Sequence, residues 1–180
     1  MKALIAIDYT VDFIVGKLPC GQPGIDIEER ITELSDRFVK NGDFVVMAVD
    51  LHEEGDAYHP ETKLFPPHNI RGTEGRRLYG KLGDWYERHR ERVYWMDKTR
   101  YSAFCGTDLE QRLRARGITE LHLAGVCTDI CVLHTAVDAY NRGYAIVVHE
   151  DAVASFNPQG HEWALGHFRG VLGAEVVRQA

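Results

Sequence analysis

Leu121-His122-Leu123-Ala124 runs directly into Gly125-Val126-Cys127-Thr128-Asp129-Ile130-Cys131-Val132. The first segment reads as a buried strand. Cys131 to Tyr140 is apolar and closes at Gly143, so it reads as a helix with a glycine stop. Thr128 or Asp129 is the expected N-cap, which puts Cys131 in the first helical turn. A thiol there sits among unpaired backbone N–H groups at the positive end of the helix dipole. That position lowers a thiol pKa and supplies donors for an oxyanion. The alternative is that both cysteines are small buried hydrophobes, the commoner role of a free thiol.

Working outward, strand-like runs alternate with helical ones. Ala3 to Ile7 is continuously apolar and ends at Asp8; Phe44 to Ala48 ends at Asp50; Val93 to Met96 ends at Asp97-Lys98. Ala145 to His149 and Ala174 to Val177 complete a set of six strands. Between them, helical spacing is expected over Ile25 to Val39, Arg76 to Arg92 (one or two short helices), Asp108 to Arg116, and Asn157-Pro158 to about Leu172. This alternation predicts a three-layer α/β/α domain spanning residues 1–180, with a central, mainly parallel six-stranded sheet. In such sheets the site lies beyond the carboxyl ends of the strands. Asp8, Asp50, His52, Lys98 and Cys131 all fall on that edge.

Composition is consistent with this reading. A chain of 180 residues with 44% hydrophobic and 27% charged residues is ordinary for a soluble α/β domain. A formal net charge of -6 argues against nucleic acid and anionic membrane partners. No apolar run is long enough to span a bilayer, and the region after Met1 lacks a signal-peptide layout. The four cysteines show no secreted disulfide spacing, so a cytoplasmic location with reduced thiols is expected. No glycine-rich fingerprint follows the first strand, against a dinucleotide binder.

Asp8, Lys98 and Cys131 are therefore expected to meet over the central strands. Asp8 can accept the thiol proton, and Lys98 favours a thiolate while holding the carboxylate in place. Taken singly, Lys98 reads as a surface lysine and Asp8 as a strand-end acid; their coincidence with Cys131 raises both. The segment from Leu51 to about Thr73 is long, irregular and rich in His, Pro and acid, which suits a functional loop. Asp50 and His52, two apart on a strand, share a face and can converge on one ion. Glu61 and His68 can fold back to complete a His/His/carboxylate set suited to zinc, iron or manganese. On spacing alone, His59 is an equal candidate as donor.

Three segments resemble the signatures of the isochorismatase-like cysteine hydrolases. They are Ile7-Asp8-Tyr9-Thr10-Val11-Asp12-Phe13, Asp97-Lys98 followed by Tyr101-Ser102-Ala103-Phe104, and Gly125 to Val132. Asp50-Leu51-His52, His59-Pro60-Glu61 and Phe65-Pro66-Pro67-His68 resemble the metal loop of the nicotinamidase branch. The likeness runs in order from Lys2 to Val177. It implies that Cys131 is the nucleophile, with Asp8 and Lys98 completing the catalytic set. It also implies that the Val126–Cys127 peptide is cis and that the N–H groups of Cys127 and Cys131 form an oxyanion hole. One divalent metal is implied on Asp50, His52, Glu61 and His68, zinc before iron or manganese, with His59 outside its shell. Phe13, Phe65 and Tyr101 match an aromatic pocket for a pyridine ring. The implied activity is hydrolysis of nicotinamide to nicotinate and ammonia through a cysteine thioester, in NAD salvage. The alternative is a sister amidohydrolase acting on another small amide. Relatives of this kind are often homo-oligomers.

Overall fold

The computed structural model describes residues 1–179. Its centre is a six-stranded parallel sheet of order β3-β2-β1-β4-β5-β6. The strands are β1 (Ala3–Ile7), β2 (Phe44–Asp50), β3 (Tyr94–Lys98), β4 (Glu120–Val126), β5 (Ala145–Ala154) and β6 (Glu175–Val177). The order reverses between β1 and β4, which places a crevice over their carboxyl ends.

Both faces of the sheet are covered, which is why β1 reads as an unbroken apolar run with every residue buried. Alternate residues serve opposite layers. Ala3, Ile5 and Ile7 pack toward α5 (Leu109–Ala115), α6 (Leu133–Asn141) and α7 (Pro158–Gly170), through Leu113, Ala136 and Phe168 among others. Leu4 and Ala6 belong to a second core with α3 (Glu28–Lys40) and α4 (Gly80–His89), through Ile31, Leu34, Leu82 and Trp85. Two short helices, α1 (Val11–Ile14) and α2 (Gln22–Asp26), precede α3.

Three local departures from the sequence reading have physical causes. The expected helix from Ile25 is two elements, because the chain breaks at Ile27 between α2 and α3. Strand β5 continues past Glu150 and Asp151 to Ala154; its pairing with β4 shifts register between Leu123 and Gly125, so the acids fall at an irregularity. The helix carrying Cys131 opens with a wide π turn, Thr128–Val132, with Cys127 in the capping position. Thr128 and Asp129 are therefore not its caps. Thr128 Oγ1 instead lies 2.8 Å from His161 Nδ1, and Ser155 Oγ donates to Asp129 at 2.6 Å.

Gly125 is demanded by the sheet. Its φ is +116°, and a Cβ there would collide with the backbone of Ile7 on β1. The two backbones thus leave no room for a side chain one step before the chain turns toward the cysteines. The Val126–Cys127 peptide is cis.

Candidate active site and metal centre

Four strand ends deliver four groups to the crevice. Asp8 follows β1 with a left-handed φ of 53°. Its Oδ1 accepts the Asp50 N–H at 2.8 Å, and its own N–H donates to Ala48 at 2.9 Å, so the turn is bolted to β2. Lys98 ends β3 directly beside Asp50 in the β2–β3 register. Its ammonium lies 2.8 Å from Asp8 Oδ2, 3.5 Å from Asp50 Oδ1 and 3.6 Å from Cys131 Sγ, and it donates to Arg100 O at 3.1 Å. The Lys98 and Asp8 side chains have no exposed surface. The Asp8 carboxyl and the Cys131 thiol thus meet at one ammonium.

Burial governs the charges here. It lifts Asp8 to about 6 against the pull of Lys98, the neighbouring Asp50 charge adding to the lift. It also pushes the Cys131 thiol well above its ordinary value; Lys98 counters this, while Asp8 and Asp50 add to it. Burial opposes the charge on Lys98, but Asp50 and Asp8 outweigh it and hold the ammonium protonated. Burial thus favours the neutral thiol, while the two acids favour the charged ammonium. The helix start was expected to lower the thiol pKa; complete enclosure of the sulfur overrides that.

The loop after β2 is pinned so that distant donors return to it. His52 N–H donates to Asn69 O at 3.1 Å and Arg71 N–H to His52 O at 2.9 Å, a short parallel bridge that extends β2. Asp12 accepts the Asn69 N–H at 2.8 Å, and Thr10 Oγ1 donates to Asn69 Oδ1 at 2.9 Å. Asp50, His52, Glu61 and His68 consequently each offer a donor atom within 4.8 Å of the others, the one such group among the described residues. All four are buried. His52 Nε2 lies 2.7 Å from Asp50 Oδ2; His68 Nε2 lies 3.6 Å from Asp50 and 3.5 Å from Glu61.

This donor set fits a divalent cation. His68 Nδ1 donates to Pro66 O at 2.7 Å, which leaves Nε2 as the free lone pair. Within this cluster, His68 Nε2 and Asp50 Oδ1 are buried without a hydrogen-bond partner. Burial opposes a charge on His68, yet the Asp50 and Glu61 carboxylates beside its Nε2 raise it to about 10, so without a cation a proton takes that lone pair. Two imidazoles and two carboxylates suit zinc, iron or manganese. His59 stands outside the cluster: its Nδ1 accepts the Glu61 N–H at 3.2 Å and its Nε2 donates to Thr99 O at 2.7 Å. It ties the loop to the end of β3.

Phe13, Phe65 and Tyr101 line one pocket with Glu61, Cys127 and Cys131. Phe13 meets His68 edge-on at 5.1 Å. The same pocket is lined by Leu18, Ile130 and Phe156, which sequence reasoning passed over. Phe156 follows β5 on the same sheet edge, and the apolar run Ala152-Val153-Ala154 is the signal that could have extended that strand to it. Cys127 and Cys20 are both buried, in the second core.

The profile of the Isochorismatase domain matches residues 2–180. An isochorismatase family protein of Bacillus subtilis, PncA, is 67% identical over 98% of each chain. A crystal structure of nicotinamidase/pyrazinamidase PncA from Bacillus subtilis superposes with a TM-score of 0.96 at 63% identity, covering 98% of this chain and 100% of that one. The pyrazinamidase of Pyrococcus horikoshii, solved in complex with zinc, gives 0.88 at 29% identity over 99% of both chains.

Proposed function

Because this chain belongs to the isochorismatase family, we propose that its crevice hydrolyses nicotinamide to nicotinate and ammonia through a thioester on Cys131. The observation that carries this is the buried contact of Lys98 with Asp8 and Cys131 beside a four-donor cation cage.

The thiol passes its proton to Asp8 as Sγ attacks the carboxamide carbon. The carbonyl oxygen gains negative charge facing the N–H groups of Cys127 and Cys131. Such preorganised donors are worth about 3 kcal/mol each. Ile130 and Val132 N–H groups both bind Cys127 O, at 3.1 and 3.2 Å, and the wide turn between them holds the Cys131 N–H at the helix start. Asp8 then delivers its proton to the amide nitrogen, the C–N bond breaks and ammonia leaves. Water attacks the thioester while Asp8 takes its proton. The C–S bond breaks, and Asp8 returns that proton to the sulfur. Lys98 keeps its charge throughout, which steadies Asp8 and the transient thiolate.

Asp50, His52, Glu61 and His68 would hold the metal, with zinc as the first assignment. When bound, it supplies a Lewis acid for the pyridine nitrogen and so fixes the ring. Phe13, Phe65 and Tyr101 sandwich that ring.

Ammonia release from nicotinamide, measured with and without chelator, tests the proposal. The expected result is turnover whose KM rises when metal is removed. Release from other small amides but not from nicotinamide overturns the substrate assignment and leaves a sister amidohydrolase.

A further inference from the structure

The turn Thr128–Val132 is fastened to its surroundings by side chains that do not line the pocket over Cys131. Thr128 is fully buried, and its Oγ1 lies 2.8 Å from Nδ1 of His161 on α7. Asp129 Oδ1 accepts from Ser155 Oγ at 2.6 Å, and Ser155 Oγ in turn accepts the Asn157 N–H at 3.1 Å. Asn157 is the N-cap of α7, its Oδ1 accepting the Gly160 N–H at 3.1 Å. Phe156, held between the bonded Ser155 and Asn157, lines the pocket. The second carboxylate oxygen of Asp129 lies against the first turn of α7: a Cβ on Gly160 would come 2.0 Å from Oδ2. Glycine weakens a helix relative to alanine. Residue 160 therefore gives up helix stability and leaves room for that carboxylate, whose charge suits a helix start.

On the thioester reading above, we propose that Asp129 is a positioning residue. It locks the turn that presents the oxyanion-binding N–H groups of Cys127 and Cys131 to the start of α7, and acts on the reaction without touching substrate. The bonds from Ile130 and Val132 N–H to Cys127 O, at 3.1 and 3.2 Å, set the local shape of the turn. Its placement over the sheet edge is fixed by β4 before it, α6 after it and the Asp129–Ser155 bond beside it. An oxyanion donor is worth most when its position is fixed before the charge develops. A displacement of about 1 Å costs about 100-fold in rate. Asp129 is two residues from Cys131, so its loss frees the Cys131 N–H to drift. The bond between Ser155 and Asn157 survives that loss and keeps Phe156 in the pocket wall. Asp50, His52, Glu61 and His68 stand on β2 and the loop after it, away from the turn. The effect therefore falls on kcat and spares KM.

The test is steady-state ammonia release from nicotinamide by the metal-loaded protein, joined to amide hydrogen exchange over residues 127–132. Asp129→Ala should lower kcat about 10- to 100-fold with KM within about twofold of wild type, and should speed exchange in that segment. Asp129→Asn, which keeps an acceptor for Ser155, should retain most of the wild-type kcat. Gly160→Ala alone should lower kcat, because its Cβ displaces the carboxylate. Added to Asp129→Ala it should cost nothing more, since the two changes break one contact. Asp129→Ala with wild-type kcat or wild-type exchange overturns the proposal. So does a loss confined to KM, or Gly160→Ala and Asp129→Ala losses that multiply. Wild-type protein that releases no ammonia from nicotinamide overturns the substrate reading instead, and the exchange comparison alone then decides whether Asp129 holds the turn.

Discussion

Replacing Lys98 by Met tests whether the centre is held by one buried cation. The ammonium has no exposed surface and sits 2.8 Å from Asp8 and 3.5 Å from Asp50. At an effective dielectric of about 20, an ion pair at that shorter distance attracts by about 6 kcal/mol. Desolvation of both partners offsets much of this in the intact pair. Removing one partner leaves the other charge buried and uncompensated, and the net loss is about 3–5 kcal/mol. Lys98→Met should therefore lower the unfolding free energy of metal-free protein by that amount, read from the urea midpoint at constant m. Asp8→Asn in the same background removes the stranded charge and should recover most of the loss, while both variants stay inactive. A Lys98→Met midpoint equal to wild type would refute the reasoning, because Asp8 and Asp50 would then not need the ammonium.

Cys131→Ala should abolish ammonia release, whereas Cys127→Ala, which keeps its backbone N–H, should retain most of it; the reverse pattern would exchange the two assignments. His149 is buried 2.8 Å from His122 on β4, and burial, aided by His122 and Arg30, lowers it to about 4. Its folded value lies below its unfolded one, so stability is full above about pH 6.5 and falls toward pH 4, by a total on the order of 3 kcal/mol. Urea unfolding at pH 7 and 4.5 should show this loss in wild type and a flatter response in His149→Leu. Gly125→Ala should cost about 3 kcal/mol or more, since a Cβ at φ +116° strikes the Ile7 backbone; thermal unfolding reads it.

The layer order and the site edge were legible because fully buried parallel strands leave unmistakable apolar runs, each ending in a reactive side chain. Asp8, Asp50 and Lys98 could be placed from that punctuation alone. The four cage donors could not be separated from His59 by spacing, because the loop's path is set by long-range bonds such as Asp12 to Asn69. Phe156 was hidden because β5 runs on through Glu150 and Asp151, acids that read as a strand end. Local geometry showed the pull of the helix start on the thiol but not the opposing effect of burial, which is a property of the whole fold. The wide turn at Thr128 leaves no periodicity in sequence, because one extra residue in a single turn is below what a repeat can show.

Asp50 belongs to two machines at once. Its backbone N–H holds Asp8, while its carboxylate faces Lys98 on one side and the two imidazoles on the other. A change of ion preference sought at this position would disturb proton transfer in the same stroke. Any redesign of this enzyme for a different metal must therefore begin at Glu61 or the histidines, and leave the aspartate alone.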